Sequence, residues 1–527
     1  MFSFLHVFLL KKGMKSRPRH DSQPDSYWLT RFVLLRWMGF VYLIAFYVAA
    51  RQLVPLVGAD GLTPVNLFFQ RVIASPDYNS WLAGFMAFPS LFWLNSSDFA
   101  LRIVPWIGVI LSCVVLAGYA NAIMMTVLWF FYVSIVHAGQ DWYGYGWEIQ
   151  MSETGFLCIF LCPLLDGRPF SLRPPPIQII WLFRWLIVRI MLGSALIKLR
   201  GDSCWRDLTA LYYHFETQPI PDPISPFFHF LPHPVLQFGV IWTFIVELGA
   251  PFLCFWPRWG RYIGGALIIS FQLTLIVSGN LSFFNWLTIL PALACFDDRV
   301  WRKIVPTFVT SQAVEAQLVA KPSRQMQGAA WVVVVLVGFL SIEPVLNLVA
   351  PGAGGQAMNA SFEYDSLHLV NTYGAFGSVG RERPVIIFEG TNSDDPDNTT
   401  DWKEYPYVGS PWDPKLRPPF IAPYQPHLDW QLWFAAMAAP DYYPWTRNLV
   451  WKLLHNDPAM LGLFAGNPFP DHPPKYIRAV LYNYHFAPLD NPEHVWWTRD
   501  RLGLWLPPYA VDSPVLLDLL RMQGWIP

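Results

Sequence analysis

The chain has 527 residues, of which 54% are hydrophobic, 17% aromatic and only 14% charged. Soluble domains carry about 25% charged residues, so composition excludes an ordinary soluble protein and points to membrane-spanning helices. Thirty-six Lys and Arg nearly cancel 37 Asp and Glu, which removes the basic surplus that a nucleic-acid partner would require.

Taken in chain order, the first ten residues, MFSFLHVFLL, are apolar, but their charges follow them in KKGMKSRPRH, so no cleavable signal is read there. The basic stretch precedes the first spanning segment and puts a tail, residues 1–26, on the cytosolic side by the positive-inside rule. A spanning helix needs about 20 mostly apolar residues. Segments 31–51, 101–119, 121–138, 150–166, 177–199, 234–256, 261–278, 281–296 and 329–350 answer to this. They predict a multi-pass α-helical membrane domain over 27–350, with about eight to nine spanning or re-entrant helices. Of these, 150–166 and 281–296 are short enough to be re-entrant. WLAGFMAFPSLFWLN (81–95) is too short and aromatic to span and reads as an interfacial helix. The six cysteines lie mostly inside apolar runs, where buried thiols are expected in place of a disulfide scaffold. Cys204, beside Trp205 in a polar loop, is the candidate reactive thiol.

The segment LFRWLIVRIMLGSALIKLRGDSCWRDL (182–208) begins as a membrane helix and ends in dense charge. A charge at the bilayer centre costs several kcal/mol, so Arg184 and Arg189 are expected to face the protein interior. The carboxylates available to them are Glu247 in IVELGAPF and Glu148 or Glu153 in GWEIQMSETGF. The cluster is either a set of ion pairs holding helices in register or a polar cavity that binds a ligand or performs chemistry. Lys198 closes the apolar run after Gly193, Ser194 and Ala195, which permit close helix approach. Its ammonium either snorkels to water or sits in an apolar cavity, where a lowered pKa would let it act as a base. An enclosed cavity at Lys198 lined by Glu148, Glu153 or Arg189 would favour chemistry. A solid bundle with Lys198 reaching water would favour a scaffold. Arg200, Asp202, Cys204, Trp205, Arg206 and Asp207 form the expected polar mouth.

Residues 301–328 read as a polar cytosolic loop before the last helix, which then carries the chain to the far side. From 351 the character changes: PGAGGQAMNASFEYDS is a Gly-rich linker, and no later apolar run is long enough to span. Residues 351–527 are expected to form a soluble α+β domain on the extracytosolic side, luminal or periplasmic. RPVIIFEGTN (383–392) and YIRAVLYNYHF (476–486) read as strands, and LDWQLWFAAMA (428–438) and WTRNLVWKLLHN (445–456) as helices. LHLVNTYGAFGSV (367–379) reads as a tight turn on the membrane surface, joining the last helix to this domain. Asn-x-Ser/Thr sequons occur at Asn95, Asn280, Asn359 and Asn398; Asn359 and Asn398 are the glycosylation candidates. No G-x-S-x-G, H-E-x-x-H or P-loop is present, the His residues are scattered, and no metal or cofactor is expected.

Several stretches together carry a resemblance: SYWLTRFVLLRWMGFVYLIAF (26–46), VGADGLTPV (57–65), GWEIQMSETGFLCIFLCP (146–163), FRWLIVRIMLGSALIKLRGDSCWRDLTAL (183–211), HFETQPIPDP (214–223), VSGNLSFFNWLTILPALACFDD (277–298), LHLVNTYGAFGSV (367–379) and LDWQLWFAA (428–436). From about residue 26 on, the chain closely resembles the lipase maturation factor family. The resemblance implies a multi-pass endoplasmic reticulum membrane protein, or one of the inner membrane if the source is bacterial. It would help secreted lipases to fold and assemble, with a cytosolic N-terminus and a luminal domain touching the client. Membrane lipid and a lipase-like client are the implied partners. Exposed aromatic surface would hold the client, with Trp430, Trp433 and Tyr373 as candidates. The short tail and the C-terminal MQGWIP, without a retrieval signal, depart from the family pattern. More distantly, IKLRGDSCW is similar to part of the membrane domain of vitamin K-dependent carboxylases. That likeness implies an alternative, an intramembrane enzyme using Lys198, beside Trp205, as base on a lipid or quinone.

Overall fold

The computed structural model describes residues 25–350, 365–397 and 400–527. Residues 1–24 of the basic tail and the sequons at Asn359 and Asn398 lie outside the described residues. Helix α1 (Trp28–Val57) has 30 residues, roughly 45 Å by the helical rise, and its two ends meet different parts of the molecule. Its free N–H groups are satisfied from far along the chain. Asp298 accepts from Trp28 N at 3.1 Å, Leu29 N at 2.8 Å and Thr30 N at 3.4 Å, placing a carboxylate on the positive end of the helix dipole. Near the other end, Gln52 donates to Tyr424 Oη (2.9 Å) and the Gln425 carbonyl (2.7 Å) and accepts from His427 N (3.0 Å). The C-terminal part therefore sits at the end of the bundle opposite the N-terminal residues.

Around α1 stand α2 (Asp98–Ala117), α3 (Ala122–Ala138), α4 (Gly146–Ile159), α5 (Ile177–Arg200), α6 (His233–Leu253), α7 (Arg258–Ser278), α8 (Phe284–Leu293) and α9 (Arg324–Val349). Six of these, α1, α2, α5, α6, α7 and α9, are long and apolar enough to cross a membrane; the protein is a multi-pass integral membrane protein. Helices α3, α4 and α8 have 17, 14 and 10 residues. Even the stretch holding α8 runs from one end to the other. Asn280 before it donates to the Pro419 carbonyl of the C-terminal part (2.8 Å), and Asp298 after it caps α1. This stretch therefore runs through the bundle and does not turn back. The segment expected at 150–166 is α4, which starts earlier and is buried almost all round. A helix enclosed by protein needs no lipid-facing apolar surface, so hydropathy placed its start four residues late, after Gly146–Ile149. Residues 301–328 are not a plain loop: Asp298–Ile304 and Thr307–Leu318 are helical, and Gln317 bonds Asp298 Oδ2 at 3.2 Å. The 81–95 piece is the short helix Trp81–Ala87 and a 3-10 turn, with Trp81, Leu82, Met86 and Leu94 exposed.

The C-terminal part is α+β. Strands β1 (Pro384–Thr391), β2 (Lys403–Glu404), β3 (Tyr476–Phe486) and β4 (Trp497–Tyr509) form one antiparallel sheet in the order β2-β1-β3-β4, with Ile387 opposite Val480. Helices α10 (His427–Ala436), α11 (Trp445–Leu454) and α12 (Pro514–Met522) accompany it. Strand β4 escaped sequence reading because it carries Gly503, Pro507 and Pro508, residues tolerated only where one side of a strand is unpaired.

This part is docked firmly. Arg383, 1% exposed, donates to the Glu216 carbonyl (2.9 Å), the Pro219 carbonyl (2.9 Å) and the Gln218 carbonyl. Asn280 is bonded on both sides of its amide, to the carbonyls of Pro221 and Pro419 and from the N–H groups of Ile421 and Ala422, so this sequon carries no glycan in the folded protein. Arg383→Ala is expected to lower stability by about 1.5–3 kcal/mol for the charged hydrogen bonds lost. Thermal unfolding of the purified full chain, with exposed Arg501→Ala as an unchanged control, checks this.

Candidate functional site

Helix α5 carries the charges singled out above. Five residues separate Arg184 from Arg189 and nine separate Arg189 from Lys198, rotations of about 140° and about 180°. Arg189 therefore faces one side of the bundle, and Arg184 and Lys198 roughly the other. All three side chains are buried.

Arg184 meets none of the three expected carboxylates among its described hydrogen bonds. It donates to the Ala294 carbonyl (2.9 Å) and to Tyr27 Oη (2.8 Å). The same phenol receives Arg261, which is paired with Asp297 at 2.5 Å. Arg184 lies two turns into α5, near the end of the bundle where α1 begins, out of reach of Glu247 and Glu153. Glu148, also buried, accepts from Tyr132 Oη and not from an arginine.

Arg189 does pair with Glu153, and both side chains are 1% exposed. The pair is completed from residues 365–379. Asn371 N (3.1 Å), Asn371 Nδ2 (3.2 Å) and Tyr373 Oη (2.8 Å) donate to Glu153 Oε2, while Arg189 Nη1 donates to the Asn371 carbonyl at 2.8 Å. The joint expected on the membrane surface is thus inserted into the bundle. Tyr373, offered as a client contact, is a buried part of it.

Lys198 pairs with Glu247. Its Nζ lies 2.7 and 2.9 Å from the two carboxylate oxygens and 3.3 Å from the Ser194 carbonyl, with the Trp205 ring 5.4 Å away. Glu247 sits on a π-turn, Ile245–Gly249, within α6, a local widening that re-aims a side chain and recurs at functional sites. Lys198 is buried, so it does not snorkel. All three of its hydrogen bonds are to oxygen acceptors, the two Glu247 oxygens and the Ser194 carbonyl. A cavity of about 280 Å³ does lie beside the pair, with Lys198, Glu247, His214, Trp205, Phe238 and Leu275 in its wall. Glu148, Glu153 and Arg189 are not in that wall, so neither arrangement envisaged from the sequence is the one present.

The polar mouth is closed by the same joint. Asp202 N donates to the Gly377 carbonyl at 2.8 Å. The Asp202 carboxylate pairs with Arg381 at 2.9 Å, which holds it below the usual carboxylate range together with the Cys204 N–H. Trp205 Nε1 donates to the Phe376 carbonyl at 2.8 Å. Arg200 reaches the Leu348 carbonyl and Arg206 the Leu199 carbonyl (2.8 Å); Asp207 is exposed. Cys204 is not the accessible reactive thiol expected. It is fully buried, and burial, then the Asp202 carboxylate, push its thiol up, away from thiolate chemistry. Trp430 is buried against Trp147 (4.9 Å) and Tyr145 (5.6 Å), and Trp433 donates to the Thr217 carbonyl at 3.0 Å. All three aromatic client candidates are therefore joints between the halves. A sequence does not distinguish an internal aromatic interface from an external one. Among the described residues, no group of three or more His, Cys, Asp or Glu could hold a metal ion.

Residues 29–303 match the family model described as the lipase maturation factor transmembrane domain, and residues 369–507 that of the lipase maturation factor C-terminal domain. The chain belongs to the lipase maturation factor family. It is 42% identical to lipase maturation factor 1 of Bos taurus over 95% of this chain and 92% of that protein. With lipase maturation factor 1 of Homo sapiens it is 40% identical over 98% and 93%. Lipase maturation factor 2 of Xenopus tropicalis is 26% identical over 94% of this chain and 84% of its own length. No solved structure matches the chain significantly. In this lipase maturation factor family member the two matched regions share one buried ion-pair network: Glu153 and Arg189 belong to the first, Asn371 and Tyr373 to the second. Sequence reading missed Asn371 as a ligand of Glu153, Arg383 as the docking cation and His214 as a wall of the cavity. Asn371 and Arg383 bond residues far along the chain and His214 meets the cavity only through the fold, so no local spacing signals them.

Glu153→Gln, which leaves Arg189 buried without its counter-charge, is expected to cost about 3–5 kcal/mol, and Glu153→Met with Arg189→Met together much less; thermal unfolding of the singles and the double decides. Acid is expected to act through buried neutral histidines. Burial pushes His427 down to about 3 and His368 to about 4, and burial with the Lys198 ammonium takes His214 to about 4. The unfolded chain takes up these protons near pH ~6.5, so stability is full above that value and falls as pH drops from there toward 4. Melting midpoints at about pH 7.5 and about pH 5, with His427→Phe flattening the slope, test this.

Proposed function

We propose that this protein is a membrane-bound maturation factor that assists the folding and assembly of a secreted lipase or similar client. It is held in the endoplasmic reticulum membrane, or in the inner membrane of a bacterium, with residues 1–26 cytosolic and the C-terminal part on the other side. The observation that carries this is family membership over both halves: relatives with the same two regions are named lipase maturation factors. Placement of the C-terminal part opposite the α1 start supports the topology, because the basic tail precedes that start. Membrane lipid surrounds the bundle, whose outward face carries exposed Ile110, Phe252, Trp331, Val332 and Val335.

With Trp430, Trp433 and Tyr373 occupied internally, we place client contact on the outer edge of β4. This 13-residue strand ends the sheet. Among the described residues no segment pairs with its free side over 498–509. Its side chains Leu502 and Leu504 are exposed, and Gly503 between them has φ +153° beside a bulge, which turns the edge outward. An unpaired edge with apolar side chains is where an extended, unfolded polypeptide adds as a further strand. In cells lacking their own maturation factor, the intact chain is expected to restore active lipase in the medium. Leu502→Glu with Leu504→Glu is expected to lower that activity roughly tenfold at unchanged abundance and melting midpoint. No active lipase with the intact chain would overturn the maturation reading; full activity with the double variant would overturn only the β4 surface.

A further inference from the structure

We infer that the cavity between α5, α6 and α7 is a binding site for a neutral bilayer lipid, an apolar chain bearing one oxygen-containing polar group. At about 280 Å³ it has the room of roughly nine waters, where a packed interior leaves few voids larger than one. Met191 of α5, Phe238 of α6 and Leu275 of α7 are typical of its mostly apolar wall, which is broken by a few polar groups including Lys198, Glu247 and His214. Such a lining suits an organic occupant with an apolar body and a polar end.

The mouth says where that occupant comes from. Val235 and Phe238 line the cavity and are also 48% and 60% exposed on the outer side of α6; Thr274 of α7 lines it and is exposed as well. Both helices are long and apolar enough to span a membrane, so the medium at this mouth is hydrocarbon. Residues 235–238 open α6 and residue 274 nears the end of α7, at the face where Asn280 joins the C-terminal part. The lipid therefore enters from the leaflet on that side.

The polar groups say what kind of lipid it is. Lys198 and Glu247 neutralise each other, and a further charge brought in would stand uncompensated in a buried place. A charged headgroup is thereby excluded from the interior. His214 is buried, and its ring nitrogens carry no hydrogen bond among the described residues. Burial beside Lys198 keeps the ring neutral. A neutral imidazole offers one donor and one acceptor, matching an ester, carbonyl or hydroxyl. This inference is independent of the client reading, since it needs neither a client nor the β4 edge.

The test uses the full chain in phosphatidylcholine nanodiscs containing a photoactivatable, clickable diacylglycerol, with cross-links mapped by peptide mass spectrometry. Labelling is expected on α6 and α7 peptides around Phe238 and Leu275. Unlabelled diacylglycerol should compete it away, and photoactivatable phosphatidic acid should not reproduce it. Ser194→Phe, which fills the cavity from α5, should reduce this labelling at least tenfold, whereas Ile241→Phe, on the exposed face of α6 and outside the wall, should leave it unchanged. Competition in the unaltered protein decides the matter if Ser194→Phe does not fold. Labelling spread over all exposed faces, α9 included, and not competed would overturn the site; equal labelling by phosphatidic acid would overturn its neutrality.

Discussion

The Glu153 carboxylate is the point on which the rest of the structure turns. It is fully buried between membrane-spanning helices and receives four donors: Arg189 of α5, both N–H groups of Asn371 and the hydroxyl of Tyr373. Taking two charges out of water costs more than their attraction returns unless the remaining lone pairs are also satisfied. Arg189 alone does not saturate Glu153; the joint does. The two matched regions are therefore not an anchor with a freely tethered head. Removing the joint would leave a half-satisfied ion pair among helices, an arrangement worse than no charge at all. What such a network supplies is specificity more than stability: only one register of residues 369–373 brings the Asn371 amide to Oε2.

The membrane part was legible in its lengths, because lipid imposes one requirement on every crossing and hydropathy records it. The nine apolar segments are nine helices, and the charges on α5 did mark a buried network. What hydropathy records poorly is a helix that lipid never touches. Helix α4, with Glu148, Gln150, Ser152, Glu153 and Thr154 all buried, is polar because its environment is protein. Partner choice was not legible. Asp298 caps α1 across about 270 residues, and Arg184 finds a tyrosine hydroxyl 157 residues away and none of Glu148, Glu153 and Glu247. Long-range pairing depends on the fold, and charge type alone does not determine it.

The same limit explains the aromatic residues. Tryptophan and tyrosine combine a large apolar surface with one polar handle, which suits a client surface, a bilayer interface and an internal seam equally. Trp430, Trp433 and Tyr373 went to the seam, with Trp147 and Tyr145 as counterparts. The edge we propose for an external polypeptide is that of β4, the strand whose Gly and Pro residues hid it from pattern reading. Those residues keep an edge open without letting it become a flat template for aggregation.

The joint also governs the cavity. Asn371 and Tyr373 hold Glu153; a few residues on, Ala375 and Phe376 form part of the cavity wall, and the Phe376 carbonyl takes Trp205 Nε1. Gly377 then takes Asp202 N, so that Lys198 lies below a lid made from the second matched region. A rigid link of this kind has a definite consequence. Any displacement of residues 371–377 must at once uncover the wall around Lys198 and Glu247 and strip donors from Glu153. The two buried pairs, on opposite faces of one helix, are thereby linked through one strap, directly at Glu153 and through Trp205 at Lys198.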